Sequence, residues 1–184
     1  MRHFSRFALI VVVALGNARA YGQGQGPAIH GVTGTIATEA TIKDEHKAIN
    51  KIAVVTEDGV ERVYDAAKGL TVHGGDPLAG LKEGTTVIIH YSPDNAVQEI
   101  DRVGPDGLST TEGVATKIDR GRKEITIRYD NGKIEKLKLT DRAAASVGKN
   151  IAADTRIVVY YSDEAGAKVT HYFKSAKVVR PARK

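Results

Sequence analysis

The side chains with the widest chemical range here are histidines set near carboxylates. After residue 20 the chain carries five of them: His30, His46, His73, His90 and His171. In His73-Gly74-Gly75-Asp76-Pro77 an imidazole and a carboxylate share one glycine-rich loop, where they can meet as metal ligands or as an acid–base pair. In Lys43-Asp44-Glu45-His46-Lys47, Asp44 and His46 fall on one face of an extended segment, although Lys43 and Lys47 oppose a bound cation. His90 ends an apolar run. The candidate metal set is therefore His73, Asp76, His46 and His90. Each also has a plain reading: a turn for His73 and Asp76, a solvated hairpin tip for His46, rim packing for His90.

A second constellation is basic and aromatic. Arg120, Arg122, Lys123, Lys136 and Lys138 lie on polar positions of alternating segments, and Tyr160, Tyr161 and Tyr172 follow. Such a surface can hold phosphates or an acidic glycan, with the tyrosines stacking on rings. Aromatic residues make up 5% of the chain, so a stacking platform would be thin.

Several chemistries are excluded or unsupported. With no cysteine there is no disulfide, thiolate metal site, iron–sulfur cluster or cysteine nucleophile. Gly-x-Ser-x-Gly, His-Glu-x-x-His and the phosphate-binding Gly-x-x-x-x-Gly-Lys motif are all missing. The carboxylates are spread over polar strand faces. The expectation is a protein that is not an enzyme and needs no cofactor.

The first 20 residues alter the charge argument. Arg2 and Arg6 precede the apolar run Phe7 to Leu15, and Ala18-Arg19-Ala20 supplies a small–x–small cleavage pattern. The run is shorter than the about 20 residues a membrane span needs. Residues 1–20 thus read as a signal peptide cleaved near Ala20, and the expected location is periplasmic or secreted, with no transmembrane segment in the mature chain. The 27 cations and 22 anions fall to 24 and 22 without it, so nucleic acid is not the expected partner.

The elements that must position these residues occur twice. Thr86-Val87-Ile88-Ile89-His90-Tyr91-Ser92 matches Arg156-Ile157-Val158-Val159-Tyr160-Tyr161-Ser162. Upstream, Ile52 to Gly59 matches Ile125 to Gly132, each an alternating strand closed by Asp-Gly or Asn-Gly. Gly34 and Gly113 lie in opening strands, and Ile100 to Val103 matches Ala176 to Val179 at the close. Thr140 or Asp141 can cap a short helix ended by Gly148, while unit one has Asp65 to Gly69 and a longer loop there.

This order predicts an all-β chain with minor helix: two tandem five-stranded antiparallel barrels, OB-like, with an SH3-like closure as the alternative. Residues 1–20 are the signal, 21–30 a flexible tether, 31–103 the first repeat, 104–112 a linker, 113–179 the second repeat and 180–184 a basic tail. A unit of about 70 residues buries only about 60% of its unfolded surface, so the two should pack together or against a second chain.

With its Gly-Val opening, Asp-Gly turn and closing Val-Ile-Ile-x-Tyr, the chain resembles the small β-barrel domains of uncharacterised function in exported bacterial proteins. The resemblance spans residues 31–179. It implies a periplasmic OB-like fold and brings no catalytic residue with it.

Charge separates the units. Gly34 to Val103 holds 7 cations and 12 anions, Gly113 to Val179 holds 14 and 8, and the tail adds Arg180, Arg183 and Lys184. The opposite halves can attract within one chain or between copies. The expected function is ligand or envelope-partner binding without catalysis, through a polyanion such as an anionic glycan or lipid on the basic repeat. The alternatives are metal handling or stress response through His73 and Asp76, and a structural envelope component that self-associates.

Overall fold

The computed structural model describes residues 35–46, 50–74, 81–146 and 151–176. The expected signal peptide, tether and basic tail lie outside them, as do Asp76, Gly148 and the His46 side chain.

The described residues hold ten strands and one short helix. The first module comprises β1 (Ile36–His46), β2 (Lys51–Thr56), β3 (Glu61–His73), β4 (Thr86–Tyr91) and β5 (Ala96–Arg102). The second comprises β6 (Ser109–Asp119), β7 (Glu124–Arg128), β8 (Ile134–Leu139), α1 (Asp141–Ser146), β9 (Thr155–Glu164) and β10 (Ala167–Ser175). Because β6 starts at Ser109, the last four residues of the expected linker are strand.

Both sheets share one connectivity and close on themselves. The first runs β1-β2-β3-β5-β4, with β4 pairing back onto β1. The second repeats this as β10-β8-β7-β6-β9, with β9 paired to both β6 and β10. The expected all-antiparallel pairing is corrected: β3 with β5, and β8 with β10, are parallel. A ring of five strands cannot alternate direction all the way round, so one pairing in each must be parallel.

Alternation sets the two interiors. Ile52, Val54, Val87, Ile89, Val97 and Ile100 fill the first, and Ile125, Ile127, Leu137, Leu139, Ile157 and Phe173 the second. Thr140 caps α1 by accepting a 3.1 Å hydrogen bond from the Ala143 amide, and Ala143 and Ala144 pack into the second interior. In the first module Asp65 to Gly69, expected as helix or loop, lies inside β3. Its register against β5 shifts between Ala66 and Thr71, and Gly69 turns the bulge at φ +85°, a conformation that favours glycine.

The modules pack on each other. Ile88, Leu108 and Tyr160 are buried together, flanked by Ala37, Val103, Val158 and Tyr172. Continuous apolar runs in β4 and β9 follow from this: Val87 and Ile89 face their own interior while Ile88 faces the neighbouring module. Polar contacts rim the seam. The Tyr160 hydroxyl donates to Glu39, and Lys174 Nζ lies 2.6 Å from Glu39 and 3.0 Å from Glu57. The negative first unit and positive second unit thus meet through specific pairs.

Candidate functional site

A polar cluster is buried where the modules meet. Strand β5 alternates, so Ile100 points into its own interior while Glu99 and Asp101 point outward into the junction. Register brings partners to both acids. His90 on β4 pairs across from Glu99, and His73 at the end of β3 pairs across from Asp101. The β3 bulge advances His73 to that position. From the second module His171 arrives through a register shift between Thr170 and Tyr172, which frees it from strict alternation.

The geometry is compact. His90 Nε2 lies 2.9 Å from Asp101 Oδ2, and His171 Nδ1 approaches the same oxygen at 3.4 Å. Glu99 Oε1 is 3.7 Å from His73 Nε2 and 3.9 Å from His90 Nε2. The far nitrogen of His171 meets Ser162 Oγ at 2.9 Å and Glu164 Oε1 at 3.3 Å. His90, Glu99, Asp101 and His171 are buried, whereas the His73 side chain is 35% exposed and forms the solvent-facing corner.

Burial costs ionised groups their hydration, and the cluster answers with opposite charge. Burial by itself would raise the Asp101 carboxyl; the His171 imidazole at 3.4 Å and the hydrogen bond from His90 outweigh this and hold it well below the usual carboxylate range. Burial would likewise lower His171, and Asp101 and Glu164 outweigh it and raise the imidazole. Arg142 on α1 is also buried; desolvation lowers it, offset in part by Tyr172, Glu99 and Asp101.

Ser162, His171 and Asp101 line up as a nucleophile, base and orienting acid would, but the protons run the other way. The Ser162 hydroxyl gives its one proton to Glu164, so at the 2.9 Å contact with His171 Nε2 it is left to accept, not to donate as a nucleophile to its base would.

Metal chemistry suits the other side of the cluster. His73, Glu99 and Asp101 each offer one ligand atom, all within 4.8 Å of one another. Metal–ligand bonds of about 2.1 Å place ligand atoms no more than about 4.2 Å apart, so a small side-chain contraction would close the set. Glu99 Oε1 and Asp101 Oδ1 are buried without a hydrogen-bond partner. Such orphaned acceptors are costly, and a cation would satisfy both. Asp101 Oδ2 is meanwhile held by His90 and His171, as the outer partners of a metal-binding carboxylate hold it.

Of the expected metal set, His73 and His90 come together here; the His46 side chain and Asp76 lie outside the described residues. Sequence reasoning counted His171 among the histidines without placing it in the metal set, and missed Glu99, Asp101 and Arg142. The available signal was two acids spaced by one aliphatic in the closing strand of an apolar unit.

The basic and aromatic set disperses. Tyr160 and Tyr172 are packed in the junction with ring centroids 5.6 Å apart, so they offer no free stacking face. Tyr161 lies under the Lys168 ammonium at 4.8 Å. Arg120 and Arg122 are exposed, and Lys123 pairs with Asp141. Lys136 and Lys138 line a groove of about 300 Å³ with Lys168, Glu124, Glu135 and Asp163, where Lys138 meets Glu124 at 2.6 Å and Lys168 meets Glu135 at 3.3 Å.

No protein-family model matches the chain, and no curated protein matches it either.

Proposed function

We propose that this is an exported protein of two OB-like barrels that binds a divalent transition-metal ion at the barrel junction without catalysis. Support for the OB-like reading is the shared strand order, in which the fifth strand inserts between the third and fourth. Support for the metal reading is one observation above the rest: two buried carboxylate oxygens, Glu99 Oε1 and Asp101 Oδ1, lack partners beside the half-exposed imidazole of His73. One nitrogen and two oxygens suit zinc, nickel, manganese or ferrous ions better than copper(I), which prefers sulfur.

The test is titration of chelator-stripped protein with zinc, nickel and manganese. One equivalent should bind to the native chain, and Glu99→Gln and His73→Ala should each weaken it by about 10- to 100-fold. Binding that is unchanged in both variants would overturn the reading.

A second reading rests on the exposed Lys136 in the groove of the second barrel. An anionic glycan or lipid headgroup would meet Lys136, Lys138 and Lys168 there, competing with Glu124, Glu135 and Asp163. Retention on an immobilised sulfated polysaccharide should fall for Lys136→Glu with Lys138→Glu and with rising salt. Retention insensitive to both would remove it.

A further inference from the structure

The two acids of β5 have a histidine at matching register on each neighbouring strand. Glu99 and Asp101 lie two residues apart on one face of β5; His90 on β4 pairs across from Glu99, and His73 on β3 pairs across from Asp101. Three adjacent strands of the first module thus bring two imidazoles and two carboxylates into one patch. Both imidazoles reach the same oxygen: Glu99 Oε1 is 3.7 Å from His73 Nε2 and 3.9 Å from His90 Nε2. Bonds of about 2.1 Å in a tetrahedral metal site set neighbouring ligand atoms about 3.4 Å apart, so both spacings need to shorten only slightly. His90 stands outside the close group of His73, Glu99 and Asp101, with its Nε2 turned to the Asp101 carboxylate at 2.9 Å. Its Nδ1 has no hydrogen-bond partner. One hydrogen bond is therefore the polar anchor of the ring, and swinging Nε2 toward a cation breaks that bond alone.

Resting on the metal reading, we infer that His90 is the fourth ligand of this site, and that the ion is zinc held in a tetrahedron of His73, His90, Glu99 and Asp101. On loading, His90 Nε2 gives up the proton it shares with Asp101 and offers its lone pair to the ion, since only an unprotonated ring nitrogen can ligate. Asp101 presents its orphaned Oδ1 and keeps Oδ2 for His171, which stays an outer partner at 3.4 Å. Two nitrogens and two oxygens in a closed tetrahedron suit zinc, whereas nickel favours square-planar or tetragonal surroundings and manganese octahedral ones. Four protein ligands also leave no position for a reacting water, in keeping with binding without catalysis. The partly exposed His73 is the corner through which the ion enters.

The experiment loads the chelator-stripped full-length chain with zinc, or with cobalt as its visible reporter, and follows the histidine side chains in nitrogen-15 spectra. Saturating zinc should shift the Nε2 resonances of both His73 and His90 and remove the proton from His90 Nε2. Cobalt should give the strong visible bands of four-coordinate geometry. His90→Gln should lose those bands and weaken zinc by about 100-fold, the upper end of what an outer partner alone contributes. A His90 Nε2 that keeps its proton under saturating zinc, the weak bands of six-coordinate cobalt, or unchanged zinc affinity in His90→Gln overturns the inference and leaves the three-ligand site standing. Absence of zinc binding to the native chain overturns both. Should His90→Gln fail to fold, the spectra of the native protein decide between these outcomes.

Discussion

Asp101 of the first module and His171 of the second face each other across the junction at 3.4 Å, both almost entirely removed from solvent. Asp101 also accepts from His90 at 2.9 Å, so one carboxylate holds two imidazoles from two sheets. Asp101→Asn keeps the shape and removes the charge. It should destabilise the protein by about 3–5 kcal/mol, the usual cost of orphaning a buried partner. Urea unfolding should show a lower midpoint with an unchanged slope, and a loss below about 1 kcal/mol would contradict this account.

Two tyrosines should make the seam sensitive to alkali. Burial pushes the Tyr172 hydroxyl up to about 12, and burial together with Glu39 raises Tyr160 further. Their neutral forms are favoured in the folded state. The stabilisation is therefore complete below the ordinary tyrosine value of about 10 and is lost as pH rises through about 12. Tyrosine absorbance should show the last ionisations coinciding with unfolding in that window. If all seven tyrosines ionised near pH 10 with the fold intact, the packed seam would be wrong.

Ile88 packs outward, against Leu108 and Tyr160. Ile88→Ala should cost about 2–5 kcal/mol. Ile88→Lys should go further and uncouple the modules, splitting a single thermal transition into two. Calorimetry distinguishes the outcomes, and a single transition at the native temperature for the lysine variant would refute the coupling.

Gly113 is constrained by space. A Cβ there would lie 2.5 Å from Ile127 Cγ2 and 2.9 Å from the Arg128 carbonyl oxygen. Gly113→Ala should destabilise by about 1–3 kcal/mol through overpacking. By contrast, Gly132→Ala meets nothing within 4 Å, and its penalty comes from φ +80°. Chemical denaturation of both variants, with the thermal midpoint as a check, measures the two effects, and a neutral Gly113→Ala would show that β6 and β7 can part.

What the sequence by itself determined is the repeated strand pattern. Period-two alternation around Ile125 and Ile127, the turns at Asp58-Gly59 and Asn131-Gly132, and the helix opening at Thr140 are local preferences, readable within a few residues. The doubly apolar strand around Ile88 was legible as buried, but not what buried it. Pairing across the seam was not legible, because it depends on side chains 70 or more positions apart, as Asp101 and His171 are. Odd closure made one pairing parallel, and bulges at Gly69 and His171 re-aimed histidines that alternation would have sent elsewhere. Only the tertiary structure could set Glu99 and Asp101 into the junction, since a carboxylate on a strand looks like solvent-facing polarity until a second module covers that face.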